Sequence, residues 1–162
     1  MNNVPTLYEW MGDMETFETL FTKFYGKVLK DKLLGDVFKN MSPQHVKYVA
    51  HFVAEVFGGD KLYTGEDGGS HAKMIGEHIG KMLTEDKRQR WVQLLLQTAD
   101  ETGLKSDPEF RSAFVGYIEW GTRLAVINSQ LTINPMKTNE PMPTWGWGET
   151  GGPYIPDEQL LK

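Results

Sequence analysis

His78 closes the stretch His71-Ala72-Lys73-Met74-Ile75-Gly76-Glu77-His78 and stands just ahead of a helix opening Thr84-Glu85-Asp86-Lys87-Arg88-Gln89-Arg90-Trp91. On a short, glycine-flanked segment an imidazole can offer one ring nitrogen to a metal. Trp91 begins a long apolar helix able to wall the same pocket. Upstream stand two further groups, Phe24-Tyr25 and Ser42-Pro43-Gln44-His45. Together they supply one histidine for one side of a metal, and a tyrosine, a histidine and a tryptophan for the other.

That is the donor pattern of a haem pocket, in which ferrous iron takes one neutral imidazole and keeps an opposite position open. Each residue also has a plainer role. Tyr25 sits in an amphipathic helix, where a tyrosine often packs its ring in the core. For Trp91 the plainer role is ordinary core packing; Phe38 could stack on a porphyrin or simply fill core. His45 falls in a first helical turn, where a histidine is often exposed. His45, Val49 and Phe52 share one helix face, and an apolar stripe led by a polar residue suits the roof of a gas pocket. His71 competes with His78 for the metal, since on a helix both would face the same way. His78 is favoured because it precedes the turn into the Trp91 helix.

The elements that must position these residues read as helices from residue 6 to 128. Thr6 caps a short helix through Met11. Asp13 opens a longer one whose apolar residues Phe17, Leu20, Phe21, Phe24, Tyr25, Val28 and Leu29 recur three and four apart. Leu33 to Phe38 is a short apolar turn. Ser42-Pro43 reads as an N-cap followed by a proline, opening a helix that stops at Gly58-Gly59. Residues 58 to 70 carry five glycines, at 58, 59, 65, 68 and 69, and read as a long loop. Thr84 caps the helix carrying Trp91, Leu94, Leu95 and Thr98, which ends near Gly103. Asp107-Pro108 opens the last one, with Phe110, Phe114, Tyr117, Ile118, Leu124 and Ala125. No strand alternation, internal repeat or heptad is evident.

From Ser129 the character changes. Pro135, Pro141, Pro143, Pro153 and Pro156 forbid continuous helix. Trp145-Gly146-Trp147-Gly148 and Tyr154 are too aromatic for a plain solvated tail. The expected organisation is a helical domain over 1–128 and a non-helical Pro/Gly/Trp-rich extension over 129–162, docked on the helical body.

Bulk properties narrow the classes. The 162 residues are 40% hydrophobic and 24% charged, which suits one globular domain. A net charge of -5 argues against nucleic acid or an anionic membrane as partner. The absence of cysteine removes disulfides, thiolate ligands and iron–sulfur clusters. No basic leader or long apolar run is seen, so the expected location is cytoplasmic.

The ordered set Phe24-Tyr25, Phe38, His45, Gly58-Gly59, Tyr63-Thr64, His71-x-x-Met74-x-x-x-His78 and Arg88-x-x-Trp91 resembles the truncated haemoglobins of group II. The resemblance covers roughly residues 6 to 130. It implies an all-α, globin-like two-over-two helical sandwich that binds haem b. It implies His78 as the proximal iron ligand and Tyr25, His45 and Trp91 as distal, ligand-stabilising residues. Phe38, Val49, Phe52, Tyr63, Met74 and Trp91 would join His78 around the haem. Phe38 stands where many members carry tyrosine, and His45 where many have a small residue. After His78 the chain reads Ile79-Gly80-Lys81-Met82-Leu83, without the proline found there in many relatives.

The implied ligands are dioxygen, nitric oxide, carbon monoxide or peroxide. Dioxygen gains negative charge on binding ferrous haem, and a hydrogen bond to a charged group contributes about 1.5 to 3 kcal/mol. Several donors would therefore slow its release, which favours oxygen, nitric oxide or peroxide chemistry over bulk oxygen transport. Nitric oxide dioxygenation would need a separate reductase; a peroxidase-like reaction would use His45 as acid and base. The alternatives are oxygen storage, gas sensing or scavenging, and a haem-free helical interaction module. A zinc site lacks close-spaced histidines with a third ligand. Monomer and homodimer are both compatible with the sequence.

Overall fold

The computed structural model describes residues 3–155; among these are seven α-helices, one 3-10 turn and no strand. Residues 156–162, the end of the expected extension, lie outside the described residues, as do Met1 and Asn2. Helix α1 (Leu7–Met11) starts with reciprocal bonds. The Thr6 hydroxyl accepts from the Glu9 N–H at 3.0 Å, and the Glu9 carboxylate accepts from the Thr6 N–H at 3.2 Å. These satisfy two amides that a helix start otherwise leaves free. Helix α2 (Met14–Lys30) opens on Asp13, which accepts from the Thr16 N–H at 3.0 Å. Its apolar stripe buries Phe17, Leu20, Phe21, Phe24, Tyr25 and Val28. Leu29, expected on that stripe, is 45% exposed. It follows Val28 by one residue and so points well away from the buried face.

Helices α3 (Gly35–Phe38) and α4 (His45–Val56) follow. The sequence places the cap of α4 at Ser42, but regular helix begins only at His45. Ser42 instead closes the preceding turn. Its hydroxyl accepts from the Gln44 N–H at 3.2 Å and its carbonyl from the His45 N–H at 2.9 Å. The stop is as expected: Gly58 takes φ +95°, and the Gly59 N–H reaches back to the Ala54 carbonyl at 2.8 Å. Helix α5 (His71–Gly76) is capped by Ser70 and ends before His78, which stands in the turn beyond it. Helix α6 (Glu85–Glu101) begins after Thr84, whose hydroxyl bonds the Asp86 carboxylate and caps no backbone amide. Helix α7 (Pro108–Ser129) has its expected cap, Asp107 accepting from the Phe110 N–H at 3.0 Å.

Helix α2 packs on α4, α6 packs on α7, and α2 meets α6 between the pairs. This is the two-over-two sandwich, with fully buried Phe17, Phe21, Phe24, Phe57, Phe110 and Phe114 at its centre. Arg88, itself buried, locks α6 to α7. Its guanidinium donates to both Glu85 oxygens at 2.9 and 2.6 Å and to Glu119 at 3.2 Å. That fork fixes the rotation of α6 and so the direction of Trp91, one turn on.

Beyond α7 the chain lies back on the body. The Trp145 indole donates to the Ala113 carbonyl at 3.0 Å, and the Trp147 indole to the Pro5 carbonyl at 2.7 Å. Trp147 packs edge-on against Trp10 and Phe110. Among the described residues no helix is long and apolar enough to cross a membrane.

Candidate functional site

Three elements bring Tyr25, Phe38 and His45 together. Tyr25 faces inward from the last turns of α2, Phe38 ends α3, and His45 begins α4. Ring centroids lie 4.9 Å apart for Tyr25 and His45, 5.6 Å for Tyr25 and Phe38, and 6.1 Å for Phe38 and His45. Phe24 stands beside Tyr25 and, 4.8 Å from it, Trp91. Burial pushes the Tyr25 hydroxyl far above the ordinary phenol range, while the nearby Trp91 side chain works the other way. Tyr25 is therefore a neutral O–H at any ordinary pH.

His78 enters from the turn after α5. Burial, then the nearby charges of His45 and Lys81, push its imidazole down to about 4. It is neutral at pH 7, the form that has a lone pair for a metal. Its Nδ1 is buried and has no hydrogen-bond partner among the described residues. His45 is lowered by burial, with Glu77 opposing, and its Nε2 is likewise buried and unpartnered. His45 and His78 come from different elements, one from the start of α4 and the other from the turn after α5.

Val49 and Met74 are half-buried against the core, as is Phe38. Phe52 is buried and meets Tyr63 edge-on at 5.2 Å. The Tyr63 hydroxyl is committed elsewhere: it donates to the Ser70 carbonyl at 3.2 Å, at the start of α5. Burial and neighbouring carboxylates hold that phenol up at about 12, against the Ser70 bond. Tyr63 thus places α5, and only its ring is free for apolar contact. His71 is more buried than His78 but looks the other way, toward Glu140 and Pro141 of the extension.

One buried histidine escaped the sequence reading. His51 Nδ1 lies 2.6 Å from Asp67 Oδ2, and its Nε2 lies 3.1 Å from Glu18 Oε1. Asp67 is nearly covered, with Lys47 at 4.0 Å. The arrangement ties α2, α4 and the glycine loop together. The sequence signal was faint: a histidine inside an apolar helix, with its carboxylates far away along the chain.

These residues fit a haem. Three buried imidazole nitrogens lack partners, on His45, His71 and His78, which costs free energy unless something else binds them. The His71 ring lies by Glu140 and Pro141 of the extension, and the other two belong to the site. One belongs to a histidine held neutral on the α5–α6 side. The other stands among Tyr25 and Phe38 on the α2–α4 side. Phe38, Val49 and Met74 are half-covered, as expected of walls that a flat apolar ring would complete.

A family model described as bacterial-like globin matches residues 6–119. The group 2 truncated hemoglobin YjbI of Bacillus subtilis (strain 168) is 27% identical over 121 residues, covering 75% of this chain and 86% of that protein. A group 1 truncated hemoglobin of Tetrahymena thermophila is 28% identical over 105 residues, covering 64% and 82%. Among solved structures, the group II truncated hemoglobin of Bacillus anthracis superposes with TM-score 0.63 at 26% identity, covering 85% of this chain and 98% of that one. The truncated oxygen-avid haemoglobin of Bacillus subtilis superposes with TM-score 0.65 at 25% identity, covering 75% and 99%.

Proposed function

The chain belongs to the bacterial-like globin family, and we propose that it holds haem b through His78 and manages small oxygen-containing ligands with Tyr25, His45 and Trp91. The observation that carries this reading is that His78 and His45, both half-buried, each keep a buried ring nitrogen with no hydrogen-bond partner. Haem, when bound, would supply a ferrous iron able to take a diatomic ligand, with His78 as the residue holding it.

The chain's own residues do the rest. Phe38, Val49, Phe52, Met74 and the Tyr63 ring exclude water and cradle the macrocycle. Tyr25 offers an O–H that burial keeps protonated. Trp91 stands near Tyr25 across Phe24 and brings an indole N–H to the same group. His45 adds a second polar group from the opposite helix. Two or three donors aimed at one small ligand retain it, so the reading favours chemistry on oxygen, nitric oxide or peroxide over bulk transport. An oxygen-avid relative of similar fold supports this.

A second reading concerns peroxide. His45 is shifted toward its neutral form and has a free nitrogen, so it can take a proton from one peroxide oxygen and return it to the other.

Spectra of the ferric, ferrous and carbonmonoxy forms test the first reading. His78→Ala should abolish stable haem uptake and the proximal bond, and His71→Ala should not. A colourless protein that takes up no hemin, or a normal proximal bond in His78→Ala, overturns it.

A further inference from the structure

His78 stands in a segment with little structure of its own. Its N–H bonds the Ile75 carbonyl at 3.0 Å, and its carbonyl accepts from the Lys81 N–H at 3.1 Å. Two residues then take left-handed backbone angles, Gly80 at φ +75° and Met82 at φ +51°. Glycine accepts this at no steric cost; methionine does not. Met82 is the one non-glycine residue with positive φ among the described residues. Its side chain is 60% exposed, so side-chain packing does not hold it there.

The end of α7 does. The Met82 N–H donates to the Ser129 carbonyl at 3.1 Å, and the Leu83 N–H to the Ser129 hydroxyl at 3.0 Å. That hydroxyl donates its own proton to the Val126 carbonyl at 2.7 Å, which turns its lone pairs toward Leu83. The Gln130 amide donates to the Leu83 carbonyl at 2.9 Å. Ser129 is fully buried, so its own bonds are partly shielded from water, while the Gln130 bond is exposed.

A few residues on, the same strand of chain grips the other side. Asn134 Nδ2 donates to the Ala72 carbonyl of α5 at 2.7 Å, and its Oδ1 accepts from the Met136 N–H at 3.0 Å. Gly76 lies under Asn134, where an added Cβ would come within 3.3 Å of Nδ2. Leu131 and Ile133, between the two grips, are exposed. Hydrogen bonds, not apolar packing, therefore set where this stretch lies.

We propose that Ser129 and Asn134 are positioning residues for His78, gripping the chain on both sides of it and fixing where its imidazole stands. This rests on the reading of His78 as the iron ligand. The start of the extension is then a brace for the proximal side. It holds Met82 in a conformation that chain would otherwise leave, and so limits how far His78 can follow or retreat from the iron.

The test uses the full-length haem-loaded protein. Ser129→Ala removes the acceptor for Leu83, and Asn134→Ala removes the donor to Ala72. Asn134→Asp keeps an acceptor for Met136 but loses that donor. The readouts are the ferrous iron–histidine stretching band, the rate of haem loss to a scavenger globin, and the urea midpoint. The band should shift or broaden in all three variants, and haem loss should quicken roughly three- to tenfold, as expected for one lost hydrogen bond. A purely structural role would lower the urea midpoint and leave the band in place, which overturns the proposal. If Ser129→Ala does not fold, the two Asn134 variants decide alone. His78→Ala is run alongside: if it keeps the band, the ligand assignment itself is wrong and the proposal goes with it. If it loses the band while the other variants keep theirs, only the brace fails.

Discussion

Tyr25 and His45 meet edge to face, with centroids 4.9 Å apart and ring planes crossed at 87°. One comes from the end of α2 and the other from the start of α4, so the contact joins two helices at one polar point. Phe24 and Trp91 extend the group to α6. A change to any member is felt by the others.

Oxygen release should therefore respond to this group as a unit. Tyr25→Phe and Trp91→Phe should each speed dissociation, by about tenfold or more if a charge-assisted bond worth about 1.5 to 3 kcal/mol is lost. Because Trp91 and Tyr25 both pack on Phe24, the double variant should depart from the product of the singles. Stopped-flow release on all three checks this. Unchanged rates in both singles would make Tyr25 and Trp91 core packing only.

Acid should weaken the haem-free fold through His78. Its imidazole sits at about 4 in the folded chain, against an ordinary 6.5. Between those values the unfolded chain takes up a proton that the folded chain refuses. Stability is thus untouched above about pH 6.5 and falls as pH drops toward 4. The loss from this group should be about 1 to 3 kcal/mol. His45 and His71 shift in the same direction, so His78→Leu should flatten the slope only in part. Urea midpoints of the haem-free protein across this range measure it; an identical slope in the variant would rule the group out.

His51 offers a stability test outside the haem pocket. His51→Leu strands the nearly covered Asp67 carboxylate, leaving only Lys47 at 4.0 Å. Breaking one side of a buried pair should cost about 3 kcal/mol, and adding Asp67→Asn should recover part of it. Haem spectra should stay as in the parent. A midpoint unmoved by His51→Leu would mean the buried pair contributes nothing.

Much of the fold was legible because its signals are local. Thr6, Asp13 and Asp107-Pro108 cap where the sequence puts them, since a cap needs only residues within one turn. The stop at Gly58-Gly59 is local too. Thr84 stands at the expected place but makes another bond, and Ser42 lies two residues ahead of the true cap position, because a nearby carboxylate or turn amide competes for each hydroxyl. The site was legible only as a pattern. Periodicity says that Tyr25 and Phe52 face inward; it does not say that Tyr63 spends its hydroxyl on Ser70. His51 with Glu18 and Asp67, and Ser129 with Leu83, pair residues far apart in the chain, and no spacing rule announces them.

His45 bears the sharpest test. A distal histidine can hold a ligand, swing away or bind the iron itself. Its place at the first residue of α4 suggests mobility, since end turns hold few backbone bonds. The structure restrains it: Ser42 accepts from its N–H, and its ring lies against both Tyr25 and Phe38. Ligating the iron would require leaving those contacts. Ferric protein near neutral pH should therefore be mainly high-spin, and His45→Ala should leave it so while quickening oxygen release. His45→Ala should also slow reaction with peroxide, since the proton-carrying imidazole is gone. A low-spin ferric spectrum that becomes high-spin in His45→Ala would make His45 an iron ligand. Unaltered oxygen release and peroxide reactivity would make it a bystander and remove the peroxide reading.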